Sequence, residues 1–403
     1  MRNHVIYLFC FFLALSCRKN DEDSVNLGSI DLSNGDAICL AVSAQSRTSA
    51  DSMKLFRFSN IDALSEINFF GPNGVKLGDY FIPERIYNLD DDRFLLVVSR
   101  KGKTPKELRT YIIQKSDGTA KELKSFPLPQ DLSNSAMDYS LDVKSVVSPK
   151  SDLFFFVNNS TITSLTIDDN NATFRTISAY KTNFETDTCG NIMAGNALID
   201  TSGTETIISN MGDNEIVLRS FTHNFFTVKA YADSFLIWHI DGSDSNYKYV
   251  FHTKVEGDFT DWNYLGKAYF KNSLTSVVIF DKGLLLVRED ESKSIPLSTF
   301  LMSSVTNFDQ SSEYLYLTGL NPVNYEVFDR IDLYPEPPTY TQIFAPNRYH
   351  YKLFNIHPRN TLTFYAKRLS DNMEVYGYAT TGSAPVIFDN DQSITAYQLL
   401  TLK

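Results

Sequence analysis

Basic residues are the minority in this sequence: 37 Lys and Arg stand against 48 Asp and Glu, a net charge of −11 over 403 residues. A duplex-binding protein needs a basic stripe that displaces counter-ions from phosphates, so nucleic acid is not an expected partner. The one basic cluster, Arg100-Lys101-Gly102-Lys103 with Lys106 and Arg109, lies between two apolar runs and reads as a solvated turn. Catalytic signatures are equally scarce. There is no GxSxG, HExxH or GxGxxG, and Gly102-Lys103-Thr104 lacks the upstream glycine of a phosphate loop, with Val97 in its place. Asp389-Asn390-Asp391-Gln392-Ser393 alternates oxygen ligands as a calcium loop does, but it lacks the glycine and has Leu400 where the bidentate acid belongs. The histidines His223, His239, His252, His350 and His357 never fall at the spacing of a metal pair. No catalytic residue, metal ligand or cofactor is therefore assigned. Long amphipathic runs are missing too, which excludes a sizeable helix.

Cysteine is also sparse, with four in the chain. Cys10 and Cys17 belong to the N-terminal segment described next, so a structural disulfide has only Cys39 and Cys189 to draw on. Cys39 sits in the apolar run from Ala37 to Val42, where a buried free thiol is the commoner outcome, and Cys189 lies in a polar stretch beside Gly190. No CxxC or zinc spacing is present.

What is there begins at the N-terminus. A charged Met1-Arg2-Asn3-His4 precedes an apolar run from Val5 to Leu15. As a helix that run rises about 16 Å, against about 30 Å for the hydrocarbon core, so it is a cleaved h-region and not a permanent span. It closes on Ala14-Leu15-Ser16-Cys17, and Arg18 and Lys19 follow at once. This tetrapeptide resembles the lipobox read by lipoprotein signal peptidase, with Ala14 in place of the usual leucine. The resemblance implies cleavage before Cys17 and palmitate-type acyl chains on that cysteine, more than the single chain that binds a membrane only reversibly. Residues 1–16 are then signal peptide, and removing Arg2 with them makes the mature chain one charge more negative.

Behind the anchor stands Arg18-Lys19-Asn20-Asp21-Glu22-Asp23, which resembles the acidic export signal of surface lipoproteins of the Bacteroidota. That resemblance implies the outer membrane, with the protein on the cell surface. The polar stretch 17–34 is expected to be a lipidated, disordered tether. Residues 35–403 are expected to form a single domain.

In that domain one unit recurs. Ile86–Leu89, the turn Asp90–Arg93, Phe94–Val98, Thr110–Lys115, the turn Ser116-Asp117-Gly118 and Ala120–Phe126 read as four short strands. The unit returns at Ser145–Val147, Leu153–Val157, Thr161–Ile167 and Ala172–Ile177. Weaker copies centre on Thr206–Ile208, Phe235–Trp238, Leu284–Val287, Tyr314–Leu317 and Leu362–Tyr365, with a first copy at Ile38–Val42. Four strands in roughly 40 to 50 residues is the period of a propeller blade. Two steps, Ile208 to Ile237 and Leu286 to Tyr316, span only about 30 residues, too few for a full blade. The expected fold is all-β: a β-propeller of six to eight blades, seven favoured, with a pair of β-sandwiches as the competitor. The layout resembles propeller lipoproteins of the Bacteroidota, without a WD dipeptide or a kelch diglycine. The apolar C-terminal run Ser393–Lys403 is expected to complete the blade begun near Ile38, hiding both edges.

Three groups of side chains are candidate binding residues, because aromatics beside polar groups stack sugars and anchor interfaces. They are Trp238 with His239 and Asp241, Trp262 with Tyr264, and Arg348 with Tyr349 and His350. The leading functional expectation is a non-enzymatic binding or scaffold lipoprotein, an accessory subunit of an outer-membrane protein complex. Its partners would be the membrane, through lipid on Cys17, and another outer-membrane protein. The alternatives are a carbohydrate-active hydrolase or lyase, which needs paired carboxylates in the central funnel, and a small-ligand recognition module. The anchor generates the first prediction. Cys17→Ala should leave an unprocessed or soluble protein on membrane fractionation, and a fully processed mutant still in the membrane pellet would refute lipid anchoring.

Overall fold

The computed structural model describes residues 25–43, 53–59, 64–102, 108–123, 143–147, 152–158, 161–167, 172–177, 184–187, 191–200, 202–212, 214–221, 225–242, 247–334, 337–356, 361–380, 385–390 and 394–402. The signal segment, Cys17, the export residues Arg18 to Asp23, Cys189, His223 and His357 lie outside them.

The described residues form eight four-stranded antiparallel sheets, and the fold is a β-propeller. In chain order their first strands are Ile394–Thr401, Phe81–Asn88, Val143–Val147, Phe184–Thr186, Ile216–Arg219, Tyr264–Phe270, Ser304–Gln310 and Tyr349–Ile356. The first sheet takes its first strand from the end of the chain: Ile394–Thr401 pairs antiparallel with Ala37–Ser43, so the two ends share one sheet as the apolar C-terminal run suggested. A single 3-10 turn, Leu297–Phe300, is the one helical element among the described residues.

Why the strands read as unbroken apolar runs follows from how the sheets stack. In the sixth sheet every residue of Thr275–Phe280 is buried. Val277 and Ile279 pack toward the seventh sheet with Leu315, Leu317 and Ile331, whereas Val278 and Phe280 pack toward the fifth with Phe235 and Ile237. The same alternation recurs in the first sheet, where Ile38 and Leu40 join the second sheet's Leu96 and Val98, and Ala37, Cys39 and Ala41 join the eighth sheet's Tyr365 and Tyr376. Successive side chains point to opposite faces, and both faces are covered, so polar alternation is absent. Each such side chain contributes about 1.5–3 kcal/mol of burial. Cys39 is a buried free thiol, and burial pushes its pKa up, so it stays protonated.

The hairpin expected at Asp117-Gly118 is present, with Gly118 at φ 71°. Its carbonyl accepts from the Ile30 N–H at 2.7 Å, and a Cβ at Gly118 would lie 1.9 Å from the Ile30 carbonyl oxygen. Ile30 brings a correction. The segment from Val25 to Asn34, assigned to the free tether, is part of the fold. Ser29–Ile30 pairs with Phe69–Phe70, and Leu27, Ile30 and Leu32 are buried against the first and second sheets. Spaced apolar residues in a polar stretch are enough to dock it on an otherwise open sheet face.

The sheet count is eight, where seven blades were favoured within a range of six to eight. The eight repeat copies each fall in a different sheet, but at different strand positions. Thr206–Ile208 overlaps the fourth strand of its sheet, Phe235–Trp238 the third, Leu284–Val287 the third and Tyr314–Leu317 the second. The two steps of about 30 residues therefore compare unlike strands and are not half-blades.

Deleting Ile394–Lys403 should unfold the domain, because Ile394, Leu399, Leu400 and Leu402 leave the core together. That is roughly 6–12 kcal/mol of burial, comparable to the stability of a whole domain. Aggregation or loss of a cooperative melt is the expected result. A truncated protein melting within a degree or two of the full chain would refute it.

Candidate functional site

The first strands are where consecutive sheets meet at the centre, and each is a sheet edge with backbone groups left to satisfy. Polar side chains of neighbouring first strands satisfy them. The Thr401 N–H donates to Asn355 Oδ1 at 3.2 Å, and the Ile86 N–H donates to Gln398 Oε1 at 2.9 Å. The Ile356 N–H donates to Asp309 Oδ2 at 2.7 Å. Gln310 acts in both directions, its Oε1 accepting from the Tyr269 N–H at 2.7 Å and its Nε2 donating to the Tyr269 carbonyl at 3.1 Å. These bonds tie the sixth, seventh, eighth, first and second sheets in sequence.

A different device ties the fourth, fifth and sixth. Glu185 on the fourth sheet's first strand is only 4% exposed. Its carboxylate faces Lys267 Nζ at 2.8 Å and Arg219 Nη2 at 3.8 Å, and it accepts from the Tyr269 hydroxyl. Burial pushes the Glu185 carboxyl up, but Lys267, Arg219 and the hydrogen bonds outweigh it and hold the group below the usual carboxylate range. Burial and the same carboxylate push the Tyr269 hydroxyl well above its ordinary value. The charges are mutually compensated, which is what makes a buried ion cluster tolerable.

On the other arc the first strands enclose a cavity of about 870 Å³. It is lined by Ile86–Asp92 of the second sheet, Asp309 and Gln310 of the seventh, Leu353–Ile356 of the eighth and Gln398–Leu400 of the first. Asp309 accepts from the N–H groups of Ile356 and Gln310, at 2.7 and 2.8 Å. Burial still pushes its carboxyl up to about 7, the two backbone hydrogen bonds lowering it only in part. A second carboxyl on that sheet, Asp329, is pushed up to about 6 by burial. The two do not form a pair. Asp309 shares its cross-strand row with Tyr316 and Arg330, whereas Asp329 shares its row with Leu317 and Phe308, so they point to opposite faces.

None of the residues singled out by sequence lines this cavity. Trp238 is half-buried on the fifth sheet, stacked on Tyr249 with centroids 4.6 Å apart and rings within 10°, and edge-on to Phe251 at 5.2 Å. His239 faces the other way, against Phe226 at 5.9 Å, and Asp241 sits partly buried at the strand end. Trp262 is packed between Phe235, Phe259 and Phe280, and Gly283 is required there because a Cβ would come within 2.0 Å of the indole. Tyr264 is exposed at the start of the sixth sheet, edge-on to Phe280. The last group is divided. Tyr349 is buried against Phe344 and Phe364, Arg348 is exposed, and exposed His350 bonds Glu326 through Nδ1 at 2.8 Å. The three groups thus lie on different sheets and do not converge. Among the described residues no cluster of three His, Cys, Asp or Glu could hold a metal ion, and no helix is long and apolar enough to cross a membrane.

Asp309, Gln310, Asn355 and Gln398 escaped sequence reading. For Asn355 and Gln398 the signal is a polar residue beside apolar ones, as in Phe354-Asn355-Ile356 and Gln398-Leu399-Leu400, whereas Asp309 and Gln310 end a largely polar strand; both become legible only once those strands are known to lie innermost.

No protein-family model matches the chain, and no curated protein matches its sequence. Solved structures resemble it only distantly. A putative 6-phosphogluconolactonase from Bacteroides uniformis is 12% identical over 91% of this chain and 100% of its own, with a TM-score of 0.42. A eukaryotic initiation factor is 9% identical over 91% and 98%, with a TM-score of 0.46. The β-propeller domain of Cps50 (Swd1) from Myceliophteria thermophila is 10% identical over 62% and 87%, with a TM-score of 0.38.

Removing one cation of the buried cluster tests its role. Lys267→Met should cost about 3 kcal/mol at neutral pH, because the buried carboxylate then keeps only the more distant of its two cations, Arg219 at 3.8 Å. A carboxyl with a depressed folded value stabilises above its unfolded value and loses that contribution as pH falls. The gap between variant and parent in chemical denaturation should therefore narrow as pH falls through the region around 4.5, the ordinary glutamate value. A gap unchanged from pH 7 to 3.5 would refute the assignment.

Proposed function

We propose that the protein is a lipid-anchored, cell-surface β-propeller of the bacterial outer membrane that works by binding another outer-membrane protein, without catalysis. The observation that carries this reading is an aromatic edge on the fifth sheet. Its last strand, Lys248–Glu256, is nine residues long and lies at the sheet's outer end. Val250 is exposed there, and Phe251 is 49% exposed beside the stacked pair of Trp238 and Tyr249. A long edge strand with apolar side chains invites pairing unless a partner covers it, and Trp and Tyr in such a setting are the usual anchors of protein interfaces. The lipobox-like Ala14-Leu15-Ser16-Cys17 supports the membrane anchor, and the acids Asp21, Glu22 and Asp23 support export to the surface.

A carbohydrate-active enzyme would need two carboxylates facing one substrate. The two carboxyls that burial pushes up, Asp309 and Asp329, point to opposite faces of their sheet and make no such pair with each other. The acids across the cavity from Asp309 lie on the turn Asp90–Asp92, where Asp90 is tied to Arg93 at 2.7 Å.

Gentle detergent extraction of native membranes tests the reading. Wild-type protein should co-elute with a stoichiometric outer-membrane partner, and Phe251→Asp, which leaves the core untouched, should lose it at least tenfold. Wild-type protein eluting alone, or a partner retained equally by Phe251→Asp, would overturn the reading.

A further inference from the structure

We propose that the central cavity binds an organic cation, an amine carrying an apolar arm, with the Asp309 carboxylate as its counter-ion. The cavity volume of about 870 Å³ lies in the range of small-molecule sites, and its wall is divided about evenly between apolar side chains and polar ones. Its charge is one-sided. Asp309 enters from the seventh sheet and the turn Asp90–Asp92 from the second, while among the described residues no lysine, arginine or histidine lines it. Asp90 is matched by Arg93, 2.7 Å away. Leu353, Phe354 and Leu400 supply apolar wall, and Tyr87 and Phe354 supply aromatic rings of the kind that attract cations.

The identity of residue 309 sharpens the case. Holding a neighbouring N–H needs only an acceptor oxygen, and at the two following junctions the neutral amides of Asn355 and Gln398 supply it. Asp309 does the same job with a group that burial makes costly to ionise. The carboxylate exceeds what holding the sheets together demands, and a cation in the adjoining cavity would compensate it. The titratable groups around it are few: Tyr316 across the strand pair with Arg330 beyond it, and Tyr87 and the Asp90–Asp92 turn across the cavity, with Arg93 and Lys115 behind that turn. Leu353–Ile356 and Gln398–Leu400 bring none.

Tryptamine, its neutral counterpart tryptophol and its anionic counterpart indole-3-acetate share one skeleton and separate charge from shape. In calorimetric titration of the detergent-solubilised full-length protein, tryptamine should bind at one site at least tenfold tighter than tryptophol, and indole-3-acetate should not bind. Because Asp309 ionises near 7 and an alkylamine stays charged, tryptamine affinity should rise about tenfold from pH 6 to pH 8 while tryptophol stays level. Asp309→Asn should abolish the rise and most of the preference for the amine. Asp261→Asn, a change at a surface acid with 80% side-chain exposure, should alter neither. Should Asp309→Asn not fold, the wild-type comparison of three ligands across pH decides alone. Equal binding of tryptamine and tryptophol, preference for indole-3-acetate, no tryptamine binding, or a pH dependence that survives Asp309→Asn would overturn the proposal.

Discussion

Everything at the centre of this molecule depends on one constraint: the first strand of each sheet is an edge, and its backbone groups face other edges instead of a partner strand. An unpaired buried N–H costs about as much as a lost hydrogen bond, on the order of 1–3 kcal/mol. The sheets splay too far apart to pair with one another, so side chains bridge the gaps. Asn355 to Thr401, Gln398 to Ile86, Asp309 to Ile356 and Gln310 to Tyr269 repeat one solution at four junctions. The first strands also pack between neighbouring sheets, so apolar residues such as Ile86, Phe354 and Leu400 stand beside these polar ones. The result is a cavity in which the first strands set amides and the Asp309 carboxylate among hydrocarbon, facing the acidic turn Asp90–Asp92.

How much of this the sequence discloses depends on which interaction sets each element. Strand positions were legible because turn chemistry is local: Asp117-Gly118 and the Asp90–Asp92 turn mark hairpins irrespective of their surroundings. So was the meeting of the chain ends, since Leu399, Leu400 and Leu402 are too apolar for a solvated tail. The repeats leave the blade number open between six and eight because buried second and third strands look alike when both faces are covered, as Val277–Phe280 and Leu284–Val287 show. The docked segment around Ile30 was misread because its partner, Phe69–Phe70, lies some 40 residues away and carries no pattern of its own.

The candidate site was the least legible part. Trp262 and Tyr349 looked like binding residues because they stand among polar neighbours in sequence, yet in three dimensions their neighbours are Phe235, Phe280, Phe344 and Phe364. With 30 phenylalanines and 22 tyrosines, aromatic rings are here chiefly core material. Composition around a residue in the chain says little about which side of a doubly covered sheet it faces. Trp238 differs because the strand beside it, Lys248–Glu256, is an outer edge, so its aromatic partners Tyr249 and Phe251 keep one side open.

The two arcs of the centre solve the same edge problem with opposite electrostatics. Around Glu185 a carboxylate is buried together with Lys267 and Arg219, and the cations hold it ionised. Around Asp309 a half-buried carboxylate has, among the described residues, the Gln310 and Ile356 N–H groups as its donors, and desolvation wins. The difference does not follow from depth, since Asp309 keeps contact with the cavity while Glu185 is almost wholly enclosed. It follows from the neighbours: Lys267 and Arg219 come from the first strands adjoining Glu185, whereas the first strands of the eighth and first sheets bring only amides and hydrocarbon to the cavity beside Asp309. A cation that the first arc carries within its own strands is, on the second arc, left for the cavity to receive.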